Sequence, residues 1–365
     1  MKIKSARLEN FMLFDDFEMA WSPNINLICG SNSTGKTVLI KFMYALFKAW
    51  RDTDTKKETK DRINTAFVEK LTGVFRPDDK LVGRLARRQQ GYIQCGCSII
   101  LDDYESIEAG FSSRAKSHFD TLYYPPKEEG VDPLNTAIYI PPKEIISATE
   151  NFRYLYEDMH IACEETYYDL VRLLDRPLKK GANTAEQKLV LDKLSKIMQG
   201  DIIQRENRFY LRESVNGEFE MGLVSEGYRK LATIAYLIKN GSLNANTVLF
   251  WDEPETNMNP KMVYPMVETL MQLAKLGVQV FITTHDYFLQ QYFNLVAAYP
   301  EANPDQLDVK FVSLYRSEEK DAPIQYEVAS RVTDLEHNTI MEEFDAIYDR
   351  EQGIIYDQIG KRDQI

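Results

Sequence analysis

A glycine-rich segment near the N-terminus has the residue types needed to hold phosphate groups. It is Gly30-Ser31-Asn32-Ser33-Thr34-Gly35-Lys36-Thr37, a complete G-x-x-x-x-G-K-[ST] match between an apolar strand and an amphipathic helix. Its glycines let backbone N–H groups turn inward around an anion, and the positive end of the following helix adds to the attraction. We expect Lys36 to neutralise the β- and γ-phosphates of a nucleotide and Thr37 to offer its hydroxyl to Mg²⁺. The whole segment, Gly30 to Thr37, is therefore predicted to contact a nucleotide.

Two adjacent carboxylates follow an apolar run in the second half of the chain. Val248-Leu249-Phe250-Trp251 predicts a buried strand, with Asp252 and Glu253 at its C-terminal end. Ligands of parallel α/β sheets bind at that edge. We expect Asp252 to hold Mg²⁺ through water and Glu253 to orient and deprotonate an attacking water. The same pattern occurs at ordinary strand ends, so the prediction depends on its pairing with the phosphate-binding segment.

Two further polar segments lie on either side of this acidic strand. Ser225-Glu226-Gly227 opens a predicted helix, with Ser225 placed as its N-cap. His285 follows the apolar run Phe281-Ile282-Thr283 at the end of the next predicted strand. Residue type alone also fits a plain capped helix for the first segment. A single histidine at the end of a strand is usually a structural residue.

The elements that must position these residues follow from the apolar pattern. The predicted strands and hairpin are Ile3–Leu8, Phe17–Trp21, Ile25–Cys29, Tyr92–Leu101, Ala137–Ile140, Thr247–Trp251, Gln279–Thr283 and a hairpin around Asn216-Gly217. The predicted helices are Val38–Trp50, Thr65–Phe75, Asn151–Leu174, Ala185–Met198, Gly227–Ile238, Lys261–Leu276 and Thr339–Glu351. The alternation of helix and strand after Ser225 indicates a mostly parallel sheet covered by helices. The polar stretch Arg51–Asn64 is predicted to be a mobile insertion or linker.

The order of the four segments resembles that of the ABC ATPases: phosphate loop, signature, acidic strand and switch histidine. Ser225 and Gly227 match the signature and His285 the switch histidine, while Glu255-Thr256-Asn257-Met258-Asn259-Pro260 resembles the segment that crosses the dimer interface. The opening Leu8-Glu9-Asn10-Phe11, followed by Phe14, is typical of the SMC/RecF/OLD branch. The chain thus resembles the stand-alone AAA ATPases found as components of bacterial anti-phage defence systems. It departs from transporters in having Glu226 within the signature, and the expected position of the glutamine loop, Ile138–Lys143, has no glutamine.

This resemblance implies an α/β P-loop NTPase with the architecture of an ABC-ATPase head. The implied parts of this single domain are an N-terminal lobe with a mixed β-subdomain (1–145), a helical insertion (146–200), a lobe with the signature, acidic strand and switch histidine (201–300), and C-terminal strands and a helix (301–365). It also implies ATP and Mg²⁺ as ligands and ATP hydrolysis as the reaction. Two chains would form a homodimer around two ATP molecules, in which His285 senses the γ-phosphate. Lys36, Thr37, Asp252, Glu253 and His285 of one chain would face Ser225 and Gly227 of the other.

Two biological roles remain open at this stage. By resemblance to two-gene defence systems, the ATPase would control a separately encoded nuclease or toxin. The alternative is a RecF-like repair or recombination ATPase that acts directly on DNA. That alternative predicts a basic groove near the densest basic stretch, Arg76 to Arg88, for which a solvated helix face is the simpler interpretation.

Composition narrows the class of protein. The 365 residues carry a formal net charge of −12, which argues against a surface that is basic throughout and leaves room for a local basic groove. No apolar stretch approaches the roughly 18 residues of a membrane span, and the N-terminus lacks the apolar core of a signal peptide. We therefore expect a cytoplasmic protein without a membrane partner.

Overall fold

The fold is built on three β-sheets, seen here in a computed structural model. The structure describes residues 1–102, 105–127, 137–317 and 322–362, and side chains as far as residue 355. Across these described ranges, no helix combines the length and apolar character required to cross a membrane.

The central sheet has six strands and carries the predicted site at one edge. In chain order the strands are β3 (Ile25–Gly30), β7 (Ala137–Ile140), β11 (Val248–Asp252), β12 (Gln279–Thr283), β13 (Val309–Arg316) and β14 (Ile324–Ala329). They lie in the order β14-β13-β3-β12-β11-β7, and every neighbouring pair is parallel except β13 and β14. The carboxyl ends of β3, β11 and β12 therefore meet at one edge, as the alternation of helix and strand predicted.

An antiparallel sheet built mostly from the first hundred residues covers one face of the central sheet. It has the order β2-β1-β4-β5-β6 and consists of β1 (Ile3–Phe11), β2 (Phe14–Ala20), β4 (Gln94–Leu101), β5 (Ser106–Ser112) and β6 (Thr121–Tyr123). A third sheet, β10-β9-β8, contains β8 (Gly200–Arg205), β9 (Arg208–Glu213) and β10 (Gly217–Glu220). Gly217 pairs with Glu213, so the predicted Asn-Gly hairpin is confirmed, with residues 214–216 as its turn.

Nine helices surround the sheets within the described ranges. They are α1 (Lys36–Asp52), α2 (Lys60–Phe75), α3 (Phe152–Glu157), α4 (Glu165–Leu174), α5 (Ala185–Met198), α6 (Glu226–Lys239), α7 (Pro260–Lys275), α8 (Tyr287–Ala298) and α9 (Thr339–Arg362). The central strands alternate between two cores. Phe250 and Phe281 face α1 and the N-terminal sheet, whereas Leu249 and Ile282 face the helices on the other side.

Three predictions about local structure are wrong. Half of the stretch Arg51–Asn64 is helical, and residues 53–59 connect the two helices. Arg51 is buried in the last turn of α1 against the Trp50 ring, 4.4 Å away, and Thr59 caps α2. The predicted helix Asn151–Leu174 is interrupted between α3 and α4, where His160 has a left-handed φ of 51°.

The third error concerns the basic stretch from Arg76 to Arg88, which is not a helix face. Arg76 ends α2 with a φ of 50°, and Asp79 and Lys80 also have positive φ. These conformations do not continue a helix, so the chain forms two short 3₁₀ turns, Asp78–Lys80 and Val82–Leu85. The division of the chain into lobes at residues 145, 200 and 300 stays a prediction.

Candidate active site

The phosphate-binding segment forms the tight turn between β3 and α1. Gly30, Ser33 and Gly35 have φ values of 139°, 64° and 95°. A Cβ on Gly30 would lie 2.1 Å from the carbonyl oxygen of Leu314, so only glycine fits there. The tip of the loop, Ser31 to Ser33, is exposed, and the Thr34 hydroxyl donates to the Ser31 carbonyl at 2.8 Å. The loop is therefore an open cradle of backbone N–H groups at the start of a 17-residue helix.

Lys36 lies beneath this loop with its ammonium group folded inward. Its Nζ donates to the carbonyls of Gly30 at 2.7 Å and Ser31 at 2.9 Å, and the residue is only 6% exposed. Burial lowers the pKa of Lys36, and the carboxylates of Glu253 and Asp252 act in the opposite direction. The lysine thus lies in the position from which it could reach phosphates held by the loop.

Asp252 ends the acidic strand in a cluster of hydroxyl groups. Its Oδ1 accepts from the Thr37 hydroxyl at 3.0 Å and from the Thr283 hydroxyl, and its Oδ2 accepts from the Tyr139 hydroxyl at 2.9 Å. Burial raises the pKa of Asp252, although these hydrogen bonds favour the charged form. Burial and the Asp252 charge raise the pKa of Tyr139 well above its usual range, so its hydroxyl acts as a donor.

Glu253 and His285 face each other at the ends of β11 and β12. The Oε1 of Glu253 lies 3.3 Å from the Nδ1 of His285, and both side chains have access to solvent. Glu253 has a left-handed φ of 47°, and its N–H donates to both the carbonyl and the hydroxyl of Thr283. A strained backbone at a site residue is a common feature of functional sites.

Behind this pair, Glu255 connects the acidic strand to the switch histidine. Its Oε1 accepts from the Thr284 hydroxyl at 2.5 Å and from the His285 N–H at 3.4 Å. Its Oε2 is buried without a hydrogen-bond partner, and burial raises the pKa of Glu255 to about 7.

The residues predicted to form the signature lie at the start of α6. Ser225 is exposed at the N-cap position, as predicted, although its side chain makes no capping hydrogen bond. Gly227 is buried, and a Cβ on it would meet Met258 at 3.4 Å. Among the hydrogen bonds of the described residues, none joins Ser225 or Gly227 to the phosphate loop.

The structure therefore brings Lys36, Thr37, Asp252, Glu253 and His285 together at one edge of the central sheet. Sequence reasoning missed three residues that contact them, namely Tyr139, Thr283 and Glu255. The contact of Thr283 could be expected from the sequence, since this residue ends an apolar strand beside the acidic one. The contact of Tyr139 could not, because it depends on the register of β7 against β11.

The oxygen atoms present fit a magnesium ion. Thr37 and Asp252 place a hydroxyl and a carboxylate oxygen 3.0 Å apart at the base of the phosphate loop. Mg²⁺ prefers such hard oxygen ligands, and it usually takes few from the protein and the rest from water and substrate phosphates.

Two family models match the chain. The model described as "AAA domain, putative AbiEii toxin, Type IV TA system" matches residues 111–289. The model described as "AAA domain" matches residues 5–118.

Matches to curated relatives are short. The DNA replication and repair protein RecF of Chlamydia abortus (strain DSM 27085 / S26/3) is 50% identical over 46 residues. RecF of Chlamydia caviae (strain ATCC VR-813 / DSM 19441 / 03DC25 / GPIC) is 46% identical over 46 residues. Each match covers 13% of this chain and 12% of the relative.

Solved structures of SMC head domains share the fold over nearly the whole chain. The SMC head bound to the C-winged helix domain of ScpA matches with a TM-score of 0.54 and 12% identity, over 91% of this chain and 99% of that one. The head with an extended coiled coil bound to the C-terminal domain of ScpA, from Pyrococcus furiosus, matches with a TM-score of 0.50 and 10% identity, over 96% and 99%. Two AAA-domain models therefore match the chain, and its fold is the ABC-ATPase head fold of SMC proteins, in agreement with the predicted resemblance to the SMC/RecF-like ATPases.

Proposed function

We propose that two copies of this chain close head to tail on two ATP molecules with Mg²⁺, and reopen after hydrolysis. The observation that carries the proposal is the division of the predicted site residues. Lys36, Asp252 and His285 belong to one cluster, whereas Ser225 is exposed at the start of α6 with its hydroxyl not used for capping. In the proposed dimer, the second copy would supply Ser225 and Gly227 to the nucleotide.

Each residue of the cluster has a proposed task. Lys36 would give up its hydrogen bonds to the loop carbonyls and donate to the β- and γ-phosphates instead. Thr37 and Asp252 would hold Mg²⁺, which supplies positive charge to the phosphates when bound. Glu253 would accept a proton from the attacking water. His285, 3.3 Å from Glu253, would orient that carboxylate and report on the γ-phosphate.

The proposed output is control of a separately encoded effector, in the cytoplasm. The description of the family model over residues 111–289 names a toxin of a type IV toxin–antitoxin system, which links this type of domain to such systems. The partner of the nuclease or toxin class is proposed from the resemblance to two-gene defence systems. A dimer that opens and closes with ATP presents two different surfaces, and a partner that binds one of them would be switched by hydrolysis.

A trapped dimer tests this role. Glu253→Gln should hold ATP without rapid turnover, so affinity capture from the native host with ATP and Mg²⁺ should recover the effector at stoichiometric levels. Lys36→Ala is the matched bait, because it should lose tight ATP binding and recover little of the same protein. Equal recovery by both baits, or recovery of DNA alone, would contradict the switch.

A second candidate is a RecF-like ATPase that acts on DNA. A hollow of about 710 Å³ lies beside the phosphate loop and is lined by four arginines, Arg84, Arg87, Arg88 and Arg316. Arg316 donates to the Ser33 carbonyl at 3.1 Å, and Arg84 and Arg87 have acidic neighbours. The short matches to RecF also favour this candidate.

The two candidates differ in their response to DNA. Direct action on DNA predicts ATP turnover that rises with added DNA and falls steeply with salt, and Arg88→Ala should weaken that stimulation. Effector control predicts the same turnover with and without DNA. Comparing wild type and Arg88→Ala at two salt concentrations separates them.

A further inference from the structure

Asp252 is held from both sides by the strands next to its own. Thr283 belongs to β12 and Tyr139 to β7, and these are the two neighbours of β11 in the central sheet. Thr283 donates to Oδ1 and Tyr139 to Oδ2, so the two hydroxyls fix the plane of the carboxylate. The third donor, Thr37, is itself a proposed magnesium ligand and would change partner when the ion binds.

Tyr139 is in turn fixed by the core. It is 1% exposed, and its ring lies 5.3 Å from that of Tyr44, measured between centroids. Tyr44 belongs to α1, the helix that begins at Lys36, and its hydroxyl donates to the buried Asp169 at 2.7 Å. Asp169 is paired with Lys70 at 3.0 Å. Burial and the contact with the Tyr44 ring therefore hold the Tyr139 ring in the core, with its hydroxyl on Asp252.

We propose that Tyr139 is a positioning residue that aims the Asp252 carboxylate at the Mg²⁺ of bound Mg·ATP. This inference rests on the proposed role of Asp252 as a metal ligand. Tyr139 lies within Ile138–Lys143, the segment in which the expected glutamine is absent, and its hydroxyl gives that segment a direct contact with Asp252 of the proposed metal site. Hydrogen-bond partners that orient a metal ligand typically change metal affinity or activity about 10–100-fold when they are removed.

Tyr139→Phe tests the proposal because it removes one hydroxyl and keeps the ring. Mn²⁺ binding, measured by electron paramagnetic resonance in the presence of a non-hydrolysable ATP analogue, should weaken by about tenfold or more. Binding of the same analogue in EDTA should be unchanged, since Tyr139 does not contact the phosphate loop. Tyr44→Phe is the matched control: it also removes a buried hydroxyl–carboxylate hydrogen bond, and its Mn²⁺ affinity should equal that of the wild type.

Two results would overturn the inference. One is wild-type Mn²⁺ affinity in Tyr139→Phe while Asp252→Asn loses it, which leaves the metal site in place and removes Tyr139 from it. The other is an equal loss in Tyr139→Phe and Tyr44→Phe, which would show a general effect of the core. Wild-type Mn²⁺ binding by Asp252→Asn would instead contradict the proposed metal site itself, and with it the role of Tyr139.

Discussion

Gly30 ends β3 at a point where the neighbouring strand β13 leaves no room for a side chain. Its φ of 139° and the Leu314 carbonyl, 2.1 Å from a Cβ position, exclude every other residue without movement of the backbone. That movement would displace the loop carbonyls to which Lys36 donates. Gly30 therefore supports both the fold and the proposed phosphate site.

Gly30→Ala should destabilise the protein and abolish tight ATP binding. Gly217→Ala is the matched control, because Gly217 also has a positive φ, 88°, but no atom lies within 4 Å of its Cβ position. The control should lose only about 1–2 kcal/mol of folding stability, which is the cost of placing alanine in a left-handed conformation. Urea unfolding and ATP titration measure both effects, and equal losses in the two variants would contradict the argument from the Leu314 carbonyl.

Glu253 is the proposed general base of ATP hydrolysis. Glu253→Gln should bind ATP as the wild type does and hydrolyse it at least ~100-fold more slowly, because an amide cannot accept the proton. Glu268→Gln, in a surface pair with Lys193, is the control and should turn over normally. Steady-state phosphate release gives the result, and near-normal turnover in Glu253→Gln would remove Glu253 from this role.

At this scale the sequence could reveal only residues that belong to local motifs. Lys36 and Thr37 follow from the local motif, whereas Asp252 and Glu253 needed that motif as a partner and His285 needed the resemblance to ABC ATPases. Tyr139 and Glu255 belong to segments that the resemblance names, but their contacts with the cluster depend on strand register and on a buried loop.

Among the elements, the segment after the acidic strand connects the strand of the switch histidine to the helix of the signature. Glu255 accepts from Thr284 and His285 on one side. On the other side, the buried Lys230 of α6 donates to the carbonyls of Pro254 at 3.2 Å and Thr256 at 2.5 Å. The segment is therefore hydrogen-bonded to both elements.

The pKa of Glu255 gives this connection a dependence on pH. The folded-state pKa of about 7 is above the ordinary value of 4.5, because burial outweighs the hydrogen bond from the Thr284 hydroxyl. The charge of Asp286 also raises this pKa, and His285 lowers it. Lys230 on α6 also lies near this carboxyl. The folded state thus holds a proton that the unfolded state releases, so stability is lost as pH rises from about 4.5 to about 7.

The Glu255→Gln variant should not show this loss of folding stability as the pH rises. Relative to the variant, the wild type should become less stable by up to about 3 kcal/mol between pH 4.5 and pH 7.5. Urea unfolding of both proteins across that range gives the difference directly. Parallel pH profiles would show that Glu255 does not titrate in this way.

Element prediction succeeded where the apolar signal is strong and local. The buried strands Ala137–Ile140 and Gln279–Thr283 and the helix Ala185–Met198 have the bounds predicted for them. It failed at the start of α2 because residues 51–62 are all polar, whereas the buried residues of that helix begin at Ile63. The C-terminal strands were predicted only as part of 301–365, since the bounds of β13 and β14 depend on pairing with β3 and with each other.

Over the whole molecule, two cores on opposite faces of the central sheet hold the cluster and the signature helix at fixed positions within one chain. Ser225 is exposed, and among the hydrogen bonds of the described residues none joins it to the phosphate loop, so we propose that a second copy completes the catalytic assembly. ATP would then act as part of the interface, and its hydrolysis would remove the contacts that favour closure.

The proposed ATP-sandwich dimer can be tested by measuring the mass of the ATP-bound protein in solution. Light scattering of Glu253→Gln with ATP and Mg²⁺ should give twice the 42.3 kDa mass of the chain, and without nucleotide it should give the mass of the chain alone. Ser225→Arg in the same background should stay monomeric with ATP, whereas Ser214→Arg, in the exposed hairpin turn, should still dimerise. A Ser225→Arg protein that dimerises with ATP as well as the Ser214→Arg control would contradict the proposed ATP-sandwich dimer.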